Sequence, residues 1–165
     1  LSRCLEAARL APSACNGQPW RFVVLDEPSV KNDVARRTFG RVLSFNHFAL
    51  SAPVIVLVCA SRSALRARIG AMIRRTSFGL IDVGIAASHF CLQATEEGLG
   101  TCILGWFAER SIRRLLGLPR DWRIVLAITV GYPADEGSGE KKRRSLDTMV
   151  QYNRGRKAEN GDIGG

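Results

Sequence analysis

The chain has 165 residues, 46% hydrophobic and 24% charged, which suits one domain with a continuous core and is short for two. Its 24 Lys and Arg against 15 Asp and Glu leave a net charge of +9, a balance that calls for an acidic partner or a solubility role. No apolar run reads as long enough to cross a bilayer, and no charged-then-apolar leader precedes Leu1, so the expectation is a soluble, cytoplasmic protein with no membrane partner.

Leu1, Leu5 and Ala8, flanked by Cys4, Ala7 and Ala11, recur at helical spacing and predict an amphipathic helix that stops at Pro12. The stretch "APSACNGQPW" (11–20) follows. Asn16-Gly17 suits a turn with positive φ, Pro19 sets the entry angle of the next element, and Trp20 reads as core. Those roles leave Ser13, Asn16 and Gln18, three hydrogen-bonding side chains in a loop held by proline at both ends. Such a loop can clamp a ligand or satisfy its own backbone, and the residues alone favour the second.

"RFVVL" (21–25) predicts a buried strand, and "SVKNDVARRTFG" a helix capped by Ser29 and ended at Gly40. Beyond an aromatic segment at Phe45 and Phe48, the unbroken apolar run "PVIVLVCA" (53–60) predicts a strand covered on both faces. Residues 77–97 are apolar almost all round, with a polar stripe of Asp82, His89, Gln93 and Glu96, which reads as a mostly buried helix. "TCILGWF" predicts a strand that breaks at Gly105. "ERSIRRLLGLP" predicts a short helix with Ile112, Leu115 and Leu116 inward, and "RIVLAITVGYP" the last strand. From Asp135 the chain turns polar, glycine-rich and basic. The expected organisation is therefore a single domain over 1–165 with 135–165 as a basic C-terminal arm, folded as an α+β, three-layer α/β/α unit around about four strands.

Five widely spaced cysteines with no CxxC pair exclude a zinc or redox motif and fit reduced thiols; no metal site is expected. A Cys nucleophile normally needs a histidine, and there are two, His47 and His89. "GLGTCILG" (98–105) is no dinucleotide fingerprint, since it follows a helix and opens a strand. Walker A and Ser-His-Asp patterns are missing too. Basic residues are dispersed over Arg36-Arg37, Arg62 to Arg68, Arg74-Arg75, Arg113-Arg114 and Arg154 to Lys157, with one dense run, "KKRR" (141–144). A nucleic-acid-binding domain is one reading of that charge. The aromatics do not alternate with the basic residues as a stacking platform would, so no nucleic-acid partner is expected. With no acid-base machinery of its own, an enzyme of this composition needs a cofactor to supply the chemistry.

Four ordered blocks cover nearly the whole chain: "AARLAPSACNGQPWRFVVL", "DVGIAASHFCLQATEEGLGTCILGWF", "LGLP" with the strand ending "VGYP", and "KKRRSLDTMV". Together they resemble the nitroreductase family of FMN-dependent oxidoreductases. The resemblance implies a nitroreductase-like fold with a central mixed sheet, open to one further strand from a partner chain, and a homodimer with the flavin site at the interface. It implies that FMN is contacted by Ser13, Ala14, Asn16 and Gln18, by the backbone of Ile103, Leu104 and Gly105 near N5, and at its phosphate by Lys141 and Arg143, with Arg144 as the alternative in the second position. No side chain is implied to be catalytic. NAD(P)H would be the electron donor, and a small oxidised molecule such as a nitroaromatic or quinone the acceptor. The same resemblance admits another flavin reaction, such as dehalogenation, or a degenerate flavin-binding or structural protein without activity. Relatives carry an Arg-x-Ser-x-Arg phosphate grip ahead of this point. Either such a segment is expected ahead of Leu1, or this member binds flavin weakly or not at all; the start in mid-helix favours the first expectation.

Overall fold

The computed structural model describes residues 1–40, 45–61, 78–134 and 141–153. The arginines at 62–68 and 74–75, the run 154–157 and most of the expected arm lie outside these residues. Leu1–Pro133 form one compact unit and Ala134–Gly165 a second.

In the first unit four strands, β1 (Trp20–Leu25), β2 (Val54–Ser61), β3 (Gly100–Leu104) and β4 (Trp122–Gly131), form one sheet in the order β1-β2-β4-β3. Every neighbouring pair is antiparallel, where a mixed sheet was expected. The cause is visible in the connections: helix α2 (Pro28–Ala35) follows β1 and helix α4 (Glu109–Leu115) follows β3, and each returns the chain to the sheet end it left. Val58 pairs Leu126 and Cys59 pairs Ile124, so Val125 is an extra residue on β4. That bulge keeps Cys59 and Ile124 in the same core.

The two faces of the sheet have separate cores. On one, Val56, Val58, Ala60, Ile128 and Val130 meet helix α1 (Ser2–Arg9) and helix α3 (Phe78–Glu96) through Cys4, Ala8, Val83, Ala86, Ala87 and Phe90. On the other, Ile55, Leu57, Cys59, Leu104 and Ala127 meet α2, a 3-10 turn at His47–Leu50, and α4. The result is the three layers read from the sequence. Trp20 is core, as expected. Gly131 is required by packing, since a Cβ there would stand 2.8 Å from Pro53 Cδ.

Several local expectations are corrected. Ser29 does not cap α2: Glu27 is the N-cap, Pro28 occupies the first turn, and the Ser29 hydroxyl bonds the Glu27 carboxylate instead. The helix ends at Ala35, well before Gly40. Leu115 is exposed, because the short α4 can turn only Ile112 fully inward. Helix α3 is not mostly buried. Gly79, Asp82, Val83, Ala86, Ala87, Phe90 and Ala94 form its inner stripe, while Leu92 is 71% exposed and Ile81 49%. By length and composition α3 is long and apolar enough to cross a membrane, against the expectation that no run was. In the fold its inner stripe lies on the sheet and on α1. In the second unit the described residues carry one short helix, α5 (Leu146–Met149).

Candidate functional site

The loop between α1 and β1 is folded against itself and then tied to α3. Ser13 Oγ accepts the Gln18 N–H at 3.0 Å, and the Ser13 carbonyl accepts the Asn16 N–H at 3.0 Å. Ala14 donates its N–H to Asp82 Oδ1 at 3.0 Å, across 68 residues, and its carbonyl accepts the Gly17 N–H at 3.2 Å. Cys15, Asn16 and Gln18 all have positive φ (49°, 54° and 40°), whereas Gly17 is at −74°. The left-handed positions expected at Asn16-Gly17 thus fall on three side-chain-bearing residues. Backbone held this way in non-glycine residues costs free energy and persists only where its surroundings over-determine it. Ser13 and Asp82 supply that restraint.

The restraint turns two amides outward. Gln18 Nε2 donates to Asn16 Oδ1 at 2.9 Å, and both residues are exposed. Among the described residues no hydrogen bond engages Asn16 Nδ2 or Gln18 Oε1, so the pair presents one donor group and one acceptor to solvent. Ala14 has both backbone polar groups occupied and offers a ligand only van der Waals surface. Ser13 keeps its hydroxyl proton as a donor.

The second expected segment lies at the end of β3. Leu104 is buried in the α4-side core, so only its backbone can reach a ligand; Ile103 faces the other way and is exposed. A Cβ on Gly105 would meet nothing within 4 Å, and its φ is not positive. The chain itself therefore does not require glycine there, and the missing side chain leaves a flat, open approach to an edge strand, whose outer backbone groups have no sheet partner.

The sheet order separates the two segments. The polar loop enters β1 at one edge and Ile103–Gly105 end β3 at the other, with β2 and β4 between, a lateral gap of at least about 14 Å at normal strand spacing. One chain does not bring them together. Lys141 and Arg143 belong to the second unit; both are exposed, and Arg143 Nη1 donates to the Lys142 carbonyl at 3.0 Å.

The two thiols buried in the cores are inert. Burial pushes the Cys59 thiol up to about 12, with Glu109 adding to the rise and Arg113 opposing it, and burial likewise raises Cys4. Neither can act as a thiolate near neutral pH. His89 Nδ1 bonds the Ile85 carbonyl at 2.9 Å, and Gln93 donates to Glu97, so these two members of the polar stripe on α3 are satisfied within the helix and its end. Asp82 is the exception: it belongs to the loop, a role that its place in the stripe concealed.

The donor set fits a flavin. The pyrimidine edge of an isoalloxazine ring alternates carbonyl acceptors with an N–H donor, which matches one free amide donor and one free amide acceptor, and its flat face suits the open surface at Gly105.

Comparison with known proteins bears on the family and the fold. The Nitroreductase family matches residues 1–132. An NADH dehydrogenase of Thermus thermophilus is 29% identical over 162 residues, covering 83% of this chain and 77% of that one. An iodotyrosine deiodinase of Thermotoga neapolitana is 27% identical over 169 residues, with 90% and 83% covered. Among solved structures, an FMN-dependent nitroreductase of Clostridium difficile superposes with a TM-score of 0.73 at 25% identity, covering 93% of this chain and 86% of that one. The ordered sequence blocks, the three-layer antiparallel fold and the match over residues 1–132 make this chain a member of the nitroreductase family of oxidoreductases.

Proposed function

We propose that the protein is an FMN-dependent oxidoreductase that passes reducing equivalents from NAD(P)H to a small oxidised acceptor, and that it works as a homodimer. The observation that carries this reading is the loop in which Ser13 and Asp82 brace the backbone while the amides of Asn16 and Gln18 face outward. A bound flavin supplies the redox chemistry, taking two electrons from the nicotinamide and returning them to the acceptor.

The chain's own residues bind and orient. Asn16 and Gln18 hold the pyrimidine edge through their free amide groups, and Ser13 adds a hydroxyl donor. The backbone of Ile103, Leu104 and Gly105 borders the reactive side of the ring. Lys141 and Arg143 supply charge-assisted donors to the phosphate. Because the loop and the β3 end stand at opposite edges of one sheet, a second chain is needed to set the loop of one beside the β3 end of the other. The exposed Ile81 and Leu92 on α3, with Ile103 on the edge strand, are apolar surface for that contact.

The test is to load the protein with FMN and add NADH or NADPH without oxygen, then admit a nitroaromatic or a quinone. Bleaching of the flavin band by the nucleotide and its return with the acceptor are expected, on a particle of dimeric mass. A monomer that binds FMN stoichiometrically would remove the shared site, and a protein that takes up no FMN would remove the reading. The likeness to a deiodinase favours one second reading, reductive dehalogenation, in which a halogenated phenol would reoxidise the flavin and the other acceptors would not.

A further inference from the structure

A second cluster of chemistry lies away from the loop, where α4 turns toward β4. Gly117, at φ +61°, reverses the chain after α4. The Leu118 N–H returns to the Arg113 carbonyl at 3.1 Å and the Gly117 N–H to Arg114 at 3.3 Å, the paired closure of a Schellman motif. This folds Leu118–Arg120 back against the helix and encloses an open cleft of about 620 Å³, lined by Arg110, Arg113, Arg114, Gly117, Leu118 and Arg120.

Four arginines line this cleft and, among the described residues, no acidic residue does. The nearby acids are engaged elsewhere: Glu109 accepts the Ile124 N–H at 3.3 Å, and Asp121 accepts the Ser61 hydroxyl at 3.3 Å. The ion pairs among the described residues are Arg3–Glu97, Arg9–Glu6 and Arg36–Asp33, and none involves these arginines. Arg110 and Arg114 stand four residues apart on one helix, a like-charge spacing that works against the helix.

Arg113 gives the second, independent observation. Its Nη2 donates to the carbonyls of Arg120 at 3.1 Å and Pro119 at 3.4 Å, which fixes the guanidinium in place. Its Nε is buried and has no hydrogen-bond partner among the described residues. A buried donor left without an acceptor is costly, and a ligand oxygen at this point would meet it. Among the described residues no carboxylate forms an ion pair with Arg113.

We propose that this cleft binds a small molecule bearing a pyrophosphate or a pair of phosphate groups, at a site separate from the flavin loop. Planar guanidinium forks match phosphate oxygens two at a time, and Gly117 and Leu118 leave an uncharged floor for the remainder of such a ligand. The volume falls within the range of small-molecule sites. Four charges in one concavity favour a ligand with more than one negative charge over a monoanion.

The experiment titrates inorganic pyrophosphate into the FMN-loaded protein by calorimetry at about 0.15 M ionic strength, with sulfate at matched strength as the reference. Pyrophosphate is expected to saturate one site per chain, and the double variant R114E/R120E to bind it at least about tenfold more weakly while keeping its flavin and its far-ultraviolet dichroism. R113K, which keeps the charge and removes the fork, is expected to weaken binding less than the double variant. Replacing Arg36, an exposed arginine paired with Asp33 and outside the cleft lining, by alanine is expected to leave the pyrophosphate isotherm unchanged. No saturable binding by the parent protein, equal binding by R114E/R120E, or an equal loss on changing only Arg36 would each overturn the proposal. A short DNA duplex bound more tightly than pyrophosphate and released by R114E/R120E would replace the small ligand with a polyanion surface.

Discussion

Asp82 Oδ1 accepts the amide N–H of Ala14 at 3.0 Å, joining the first turns of α3 to a loop 68 residues earlier in the chain. The carboxylate is almost wholly buried, so the bond is a fixed strut behind the outward amides of Asn16 and Gln18. Asp82→Asn retains an acceptor oxygen and should leave the melting temperature near that of the parent. Asp82→Ala orphans the Ala14 N–H and should cost about 1–3 kcal/mol. Both should weaken FMN binding, the alanine variant more. Melts of the apo-protein beside flavin titrations check this; lowered stability with unaltered FMN affinity and reduction potential would confine Asp82 to holding the fold.

Asn16→Ala and Gln18→Ala probe the outward side of the same loop. Their side chains bond each other, and Gln18 Nε2 adds one long bond of 3.4 Å to the Asn16 carbonyl, while the shorter bonds that shape the turn run through Ser13 and Ala14. Stability should change by less than about 1 kcal/mol, while FMN affinity falls or the flavin potential shifts. Ser13→Ala should behave in the opposite way, loosening the loop by removing the acceptor of the Gln18 N–H. A melt that moves as far for Asn16→Ala as for Ser13→Ala would make the amides part of the turn.

The basic run is expected to read phosphate. Replacing Lys141 and Arg143 by alanine removes charge-assisted bonds of about 1.5–3 kcal/mol each, so FMN affinity should fall steeply and riboflavin affinity little. Fluorescence titration with the two flavins separates the outcomes. Equal losses would place the run away from the phosphate.

Thiol labelling should divide the five cysteines by burial. Cys15 and Cys102 are exposed and should react with an aromatic disulfide without denaturant, and the half-buried Cys91 more slowly. Cys4 and Cys59, buried and with raised thiol values, should react only after unfolding. Peptide mapping by mass spectrometry identifies the labelled positions, and early labelling of Cys59 would contradict the α4-side core.

Acid should act on the tie between α1 and the end of α3. The Arg3 guanidinium, 3.1 Å from Glu97, holds that carboxyl below its ordinary value, with burial opposing and Gln93 assisting. A carboxyl lowered in the folded state stabilises above its unfolded value and loses that contribution as pH falls through the folded one. Arg3→Ala should therefore reduce stability near neutrality slightly and flatten the decline below about pH 4.5. Denaturant melts at stepped pH read the difference.

What the sequence determined by itself is local and periodic. Apolar runs at 21–25, 53–60 and 123–131 read as strands, that at 53–60 as one covered on both faces, and helical spacing in 1–9 and 78–96 read as the packed helices. Gly105 was legible as a strand terminus because a break in periodicity lies in the chain itself. The order of the four sheet-forming segments was not legible, since antiparallel and mixed pairings use the same hydrophobic pattern. Only the tertiary structure set the polar loop and the β3 end at opposite edges, which is why one chain alone does not join them. The outer face of α3 looked like core for a similar reason: composition records that Ile81 and Leu92 are apolar, but not that α1 and the sheet cover only the other side. Asp82 shows the same limit most sharply. From the sequence it was one of four polar residues on a helix; its partner amide lies 68 residues away, and a hydrogen bond over that separation exists only once the chain has folded.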